Sequence, residues 1–379
     1  MKNYIINNEK FRELLFFTAL IIYLFSGFIF CSFYSLYFSD SFFKYSIFIS
    51  CIILLFKELL HEKIKLNELI ILIITFFLTI ILIFRLNGYF TIPLLLFVYS
   101  AREIDFKKIV KVYLLLSIFA LLFIVISSKL SIIPNYISII NNKKREFLGF
   151  RYALYPQILC FNITCLITYL KYNEKIFNKL FITLCLFIVN FYIFSYTGSR
   201  LSLILSIFIL IIFLLFNGKN KIFDCKIVSF LLKNSFIVFS IISIIISLNY
   251  NVNSKFYNTL DSVLEHRLLL GNNAINEYGI KYFGNNVVLI GNGVNKYGIK
   301  TQGTYNYIDS LYISLLIKYG SVLTITILIL LTISLHRIYN RKGYFLLIIF
   351  FAFSLHGMID DLGFYLYYNA FWLAILSQK

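Results

Sequence analysis

Apolar runs long enough to cross a lipid bilayer recur from one end of this 379-residue chain to the other. A hydrocarbon core about 30 Å thick needs roughly 20 mostly apolar residues of helix to span it. Inside lipid every backbone N–H and C=O must find a partner within the protein, so such runs fold as helices or close into a barrel. Barrel strands alternate apolar and polar residues, and these runs do not. Hydrophobic residues make up 60% of the chain and charged residues only 14%, against about half and about a quarter in a soluble domain. The expectation is an all-α, polytopic integral membrane protein with one transmembrane domain over residues 1–379.

Twelve spans are expected, at 14–37, 42–57, 67–86, 88–101, 109–128, 154–170, 177–196, 199–216, 227–248, 313–335, 343–359 and 362–377. The first follows Lys2, Lys10 and Arg12, lacks a small-residue cleavage site, and reads as a retained signal anchor.

The formal charge of +18 invites a nucleic-acid reading, which the placement of the charges argues against. With the N-terminus in the cytoplasm, each short inside connection carries three or four Lys or Arg, as in Lys57/Lys63/Lys65 and Arg337/Arg341/Lys342. The short outside connections carry one or none, such as Lys44 and Arg85. That asymmetry is the positive-inside rule and places both termini in the cytoplasm. No basic–aromatic nucleic-acid module is visible. The cysteine and histidine spacings suggest neither a disulfide framework nor a metal site.

Two outside connections are long: residues 129–153 and residues 249–312. Connections of this length in a compact protein are functional or disordered. The second is rich in aromatic residues, which disordered segments lack, so an ordered extracytoplasmic cap is expected. Within these loops the arginines stand out. Arg145 and Arg151 flank FLGF, Arg200 opens a span in SYTGSRLS, and Arg267 lies in LEHRLLLG. A guanidinium fork grips phosphate oxygens with two bonds at once. The plainer role for each is snorkelling to lipid headgroups or pairing with Glu146, Asp261 or Glu265.

The stretch TQGTYNYIDSLYISLLIKYG (301–320) carries Asp309 at the edge of a span beside Tyr305, Tyr307 and Tyr312. Such rings pack on sugar faces, and Asp309 is a candidate base. It is equally a candidate N-cap for the span that follows. His356 and Asp360, in SLHGMIDDLG, are further candidate sugar ligands, with His356 also a candidate proton carrier.

Taken together, the long outside loops, HRLLLG, the Gly-Asn-Gly turn, SYTGSRLSLILSIFILII and IDSLYISLLIKYG make the chain resemble O-antigen polymerases of the Wzy type, in the O-antigen polymerase–ligase superfamily. The resemblance implies a membrane glycosyltransferase with a GT-C-like bundle of about 12 helices and two large extracytoplasmic loops. It implies polymerisation of undecaprenyl-diphosphate-linked oligosaccharide repeat units into O-antigen or capsular polysaccharide. The reaction would take place at the outer face of the bacterial cytoplasmic membrane. Membrane lipids and a chain-length regulator are the implied partners, and no cofactor, metal or nucleic acid is implied. Asp309, Arg267 and Arg200 would be catalytic. Arg145, Arg151, Tyr305, Tyr307, Tyr312, His356 and Asp360 would bind substrate. Ligases of the superfamily carry a motif resembling His-Asn-x-Tyr-Leu where this chain has Asp309-Ser310-Leu311-Tyr312-Ile313, which counts against the ligase alternative. A lipid-linked oligosaccharide flippase is the other alternative. It should show internal repeats, broken helices and charges inside spans.

Overall fold

The computed structural model describes residues 2–60, 66, 69–74, 92–140, 143–218 and 221–377. Helices dominate it: α1 Lys2–Cys31, α2 Asp40–Leu59, α3 Ile92–Ser100, α4 Phe106–Lys129, α5 Tyr155–Lys171, α6 Ile176–Thr197, α7 Arg200–Leu215, α8 Lys226–Leu248, α9 Lys255–Val263, α10 Arg267–Tyr278, α11 Leu311–Asn340 and α12 Tyr344–Ile359. Of these, α1 from Glu9, α4, α6, α8 and α11 are long and apolar enough to cross a membrane. The expected span at 67–86 lies mostly outside the described residues, and that at 88–101 is described from Ile92 onwards.

Apolar faces pack α1 on α2 and α4, α5 among α4, α6 and α7, and α8 on α11 and α12. The C-terminal ends of α2 and α3 meet at one end of the bundle, where Lys57 Nζ donates to Ser100 O at 3.0 Å. This far end also holds the start of α1, where Arg12 pairs with Glu103 at 3.1 Å and Glu13 with Lys108 at 2.7 Å. The other end carries a cap made of the two long connections.

Both connections are ordered. In the first, β1 (Ile137–Ile140) and β2 (Lys143–Glu146) form an antiparallel hairpin. The turn after it bonds back to α1's end, with the Phe33 N–H donating to Gly149 O at 2.9 Å. Gly149 has φ +84°, and a Cβ there would lie 2.9 Å from Ser128 Cβ. The second connection contributes α9, α10 and an irregular segment that reaches Ser310.

Two features depart from a bundle of regular spans. The expected helix at 362–377 is instead an irregular chain with short 3₁₀ turns at Leu362–Phe364 and Ala370–Ala374. It is almost wholly buried among α3, α4, α5 and α12. Helical bonding is replaced by side chains. Trp372 Nε1 donates to Gly363 O at 2.9 Å, Asn369 Nδ2 donates to the same carbonyl at 3.1 Å, and Tyr113 donates to Leu366 O. Non-helical backbone is tolerated at membrane depth where protein surrounds it. The segment runs from Asp360 at the cap end to Ser377, which shares a cavity wall with Phe106 and Lys107 at the far end. Both ends of the described chain thus lie at the same end of the bundle.

The second departure is a break in α11 at Gly320, with φ +88° and ψ 168°. The cap covers it. The Ser321 and Val322 N–H groups donate to Lys281 O and Tyr282 O at 3.0 and 3.2 Å. Asn285 donates to Ile317 O from its backbone N–H at 2.9 Å and from its side chain at 3.2 Å. A Cβ on Gly284 would fall 2.1 Å from Lys318 O, and one on Gly320 would fall 2.3 Å from Gly284 N. Only two glycines allow these backbones to meet so closely.

Candidate functional site

A cleft of about 270 Å³ opens at the cap end. Its walls come from three places: Arg151, Tyr152 and Tyr155 at the start of α5, the cap from Gly291 through Tyr305 and Tyr307 to Asp309, and the α12 exit with Asp360, Asp361 and Leu362. The Gly-Asn-Gly turn at 291–293 sits against it. Gly291 packs on Tyr307, where a Cβ would be 3.2 Å from Cδ2. The Val294 N–H donates to Arg151 O at 2.9 Å, tying the turn to α5's entry.

Three carboxylates meet here, all nearly inaccessible: Asp309 at 8%, Asp360 at 6% and Asp361 at 5% exposure. Asp309 accepts from Tyr305 OH at 2.9 Å and lies 3.9 Å from Arg267 Nε. Asp361 accepts from Tyr307 OH at 2.9 Å and lies 3.8 Å from Lys318 Nζ. The two sets have the same form, a carboxylate between a phenol and a cation. Asp360 differs, because its Oδ1 is held by the Leu362 N–H at 2.8 Å and shapes the turn out of α12.

Burial lifts the Asp309 carboxyl to about 7, against the pull of Arg267 and with help from Asp360. Burial lifts Asp361 to about 6, against Lys318. It also raises Asp360, against Arg267. For Arg267, burial opposes the charge, but Asp309 and Asp360 together outweigh it and the guanidinium is held charged.

The position of Arg267 follows from local structure. The Asp261 carboxylate, 2% exposed, accepts from the Leu268 and Leu269 N–H groups at 2.9 and 3.2 Å and caps α10 from outside the helix. Gly271 then lets α10 lie on α11, since a Cβ there would be 2.7 Å from Ile313 Cδ1. Arg267, the first residue of α10, is thereby fixed beside Asp309 with its side chain 15% exposed. Among the described residues its guanidinium makes no hydrogen bond. It stands at the wall of the cleft and is not part of its lining.

The expected site residues divide. Tyr305, Tyr307, Asp309, Asp360 and Arg151 line the cleft, and Arg267 adjoins it. Asp309 is not the N-cap of α11; Ser310 holds that position and makes no side-chain cap bond. Arg151 is committed to structure, donating from Nε to Val294 O at 3.0 Å and from Nη1 to Phe30 O at 3.1 Å. Tyr307 keeps little free ring, being packed by Gly291 and lying 5.3 Å from Lys318 Nζ. Tyr312 is fully buried, donates to Ser354 O at 2.8 Å and joins α11 to α12. It faces a separate apolar cavity of about 300 Å³ along α11. His356 is also buried, with Nε2 3.5 Å from Ser202 Oγ, its ring stacked on Phe161 and Nδ1 lacking a partner among the described residues.

Arg145 and Arg200 lie on the adjoining rim. Arg145 is 3.7 Å from Glu265 and packs over Gly198, while Arg200 is the exposed first residue of α7. A cation at a helix N-terminus is disfavoured by the helix dipole, which favours an anion there. Residues that sequence reasoning passed over are Asp361, Lys318 and Asn292. The first two read only as charges near span ends; Asn292 reads only as part of a tight turn.

The chain matches no protein-family model, and neither curated proteins nor solved structures give a significant match.

Proposed function

We propose that this chain is a polytopic glycosyltransferase of the bacterial cytoplasmic membrane, with both termini in the cytoplasm and the cap outside. In this reading it polymerises oligosaccharide repeat units carried on undecaprenyl diphosphate. The observation that carries the reading is Arg267: a mostly buried guanidinium with no hydrogen bond among the described residues, set against Asp309 at 3.9 Å. Its donors are available to an oxygen-rich anionic ligand. Arg145 and Arg200 on the neighbouring rim extend the positive ground for a diphosphate. The cleft beside them, walled by tyrosines, carboxylates and an asparagine, suits sugar.

The reaction follows from this division. The acceptor hydroxyl attacks the anomeric carbon of the donor glycan. Its oxygen forms the new glycosidic bond as the carbon–oxygen bond to the lipid diphosphate breaks. Asp309 takes the hydroxyl proton; a base with a pKa near the working pH is well matched to that task. The electron pair leaves with the diphosphate, where Arg267 and the rim arginines stabilise growing negative charge.

The test is reconstitution of the purified protein in lipid with lipid-linked repeat units. A ladder of lengths from the wild type and one weakened roughly 10- to 100-fold by Arg267→Ala supports the reading; no ladder from the wild type sinks it.

The break at Gly320 favours one other reading, a transporter of the same lipid-linked glycan, because broken helices mark the substrate path in transporters. The two separate in a deletion strain. Single repeat units stranded on the outer face fit a polymerase, and units held on the cytoplasmic face fit a flippase.

A further inference from the structure

Two carboxylate–phenol pairs line the cleft, each backed by a cation outside the lining, and the reaction above uses one. Asp361, Tyr307 and Lys318 are left without a task. They are not a second copy of the Asp309 set, because the charge environments differ. Arg267 acts on Asp309, Asp360, Tyr152 and Tyr305, whereas the cation acting on Asp361 is Lys318. The Asp309 end adjoins the arginine rim. The Asp361 end pairs one carboxylate with one ammonium and leaves no excess positive charge for a phosphate.

We infer that Lys318, Asp361 and Tyr307, with Asn292 across the cleft, form a subsite for an uncharged sugar ring of the acceptor glycan. The inference rests on the glycosyltransferase reading. Each sugar hydroxyl both donates and accepts. A carboxylate takes the donated hydrogen in a short, strong bond, the Lys318 ammonium supplies one in return, and the Tyr307 oxygen can accept one. Asn292 adds a carboxamide that is half-buried and makes no side-chain hydrogen bond among the described residues. The cavity of about 270 Å³ is at the small end of the range for ligand sites. It suits a short stretch of glycan, with the remainder of the repeat outside.

The subsite is mounted on the broken helix. Lys318 lies two residues before Gly320, and Asn285 of the cap fastens the carbonyl of Ile317 beside it. Asp361 comes from the exit of α12 and Tyr307 from the cap. Three separate parts of the chain thus converge on one ring, which is how a site fixes which hydroxyl points at Asp309. A sugar lacking the matching hydroxyl would forgo its bonds to Asp361 and Lys318, and a site built to bond a hydroxyl discriminates strongly against an analogue without it.

The test uses the full-length protein in nanodiscs and, as probe, the repeat-unit oligosaccharide released from its lipid carrier, with binding read by calorimetry. The wild type should bind it, and Asp361→Asn and Lys318→Met should each weaken binding at least tenfold. Arg267→Lys should leave binding within about twofold while impairing ladder formation, since the free glycan carries no diphosphate. Equal binding by wild type, Asp361→Asn and Lys318→Met overturns the subsite. So does a wild type that forms ladders yet does not bind the free glycan. A wild type that neither binds nor forms ladders overturns the glycosyltransferase reading itself. If Asp361→Asn or Lys318→Met fails to fold, Tyr307→Phe, which removes a single hydroxyl, decides: unchanged binding rejects the subsite.

Discussion

Charged side chains gather at both ends of this bundle, and the two gatherings are built differently. At the far end Lys57, fully buried, lies 3.0 Å from Glu58 and 3.6 Å from Glu103. Arg102 and Arg12 reach the same two glutamates, and Ser100 O accepts from Lys57 at 3.0 Å. Each of these three cations has a carboxylate in contact. At the cap end three carboxylates crowd together, burial lifts their pKa values, and Arg267 reaches Asp309 only at 3.9 Å without a hydrogen bond. Close ion pairs lock helices together. A cation that stands off from its carboxylate keeps donors for a ligand to complete.

The largest effect should therefore come from breaking the closely paired end. Glu58→Ala leaves Lys57 and Arg102 buried beside a single remaining acid. Removing one partner of a buried pair costs on the order of 3–5 kcal/mol. Expression and detergent unfolding temperature should both fall sharply. A variant as stable as the wild type would show that the far-end network is ornamental and would erase the contrast.

The cap end should respond in the opposite manner. Arg267→Ala should lower ladder formation by roughly 10- to 100-fold, the worth of a charge-assisted bond of about 1.5–3 kcal/mol. The fold should survive, because the acids it deserts take up protons instead of remaining charged. Arg267→Lys should stay impaired, since an ammonium lacks the paired donors. Loss of fold in these variants, equal to that in Glu58→Ala, would make the two ends alike.

Much of this contrast was legible in the sequence, and the reasons for the rest are physical. The apolar runs announce a helical bundle because lipid admits few alternatives. Asp309 stands out as an acid at the edge of an apolar span, and Arg267 as a guanidinium fork in a long outside connection. Arg151 and Tyr312 show the limit of residue type as a guide. Both have the chemistry of a sugar or phosphate ligand, yet Arg151 spends its donors on two carbonyls and Tyr312 bridges two helices. Hydropathy also cannot separate a helical span from the buried, irregular 362–377 segment. Burial selects for the same apolar residues in both, and Tyr113, Asn162, Asn369 and Trp372 supply the side-chain bonds of the non-helical chain. The break at Gly320 depends on Gly284, far away in sequence, so no local pattern signals it.

Acidity offers a sharper probe of the cap end. Asp309 must be ionised to act as base, so ladder formation should rise with pH and level off above about 7. Stability should run the other way. The folded state raises this carboxyl above its unfolded value, so it binds the proton more tightly than the unfolded chain does. That contribution is full below about 4 and is lost as pH rises through about 7. Asp309→Asn should be inactive yet at least as heat-stable as the wild type at pH 8. A less stable Asn variant at that pH would mean that Asp309 holds the fold together, as the far-end acids do.

The finest test compares two tyrosines that each donate one hydrogen bond. Tyr312→Phe removes a bond of 2.8 Å to Ser354 O, inside the bundle. It should cost roughly 1 kcal/mol of stability, the usual worth of such a bond, and leave the pH profile where it was. Tyr305→Phe removes a bond of 2.9 Å to Asp309, at the site. That bond favours the ionised carboxylate, so its loss should move the midpoint of the rate profile upward by a fraction of a unit. The maximal rate at high pH should change less than the rate at pH 6, where fewer carboxylates remain ionised. Two substitutions with the same atomic change then separate the two regions by what they move, the melting curve or the titration curve. A Tyr305→Phe enzyme with an unshifted midpoint would mean that the group titrating in the rate profile is not Asp309.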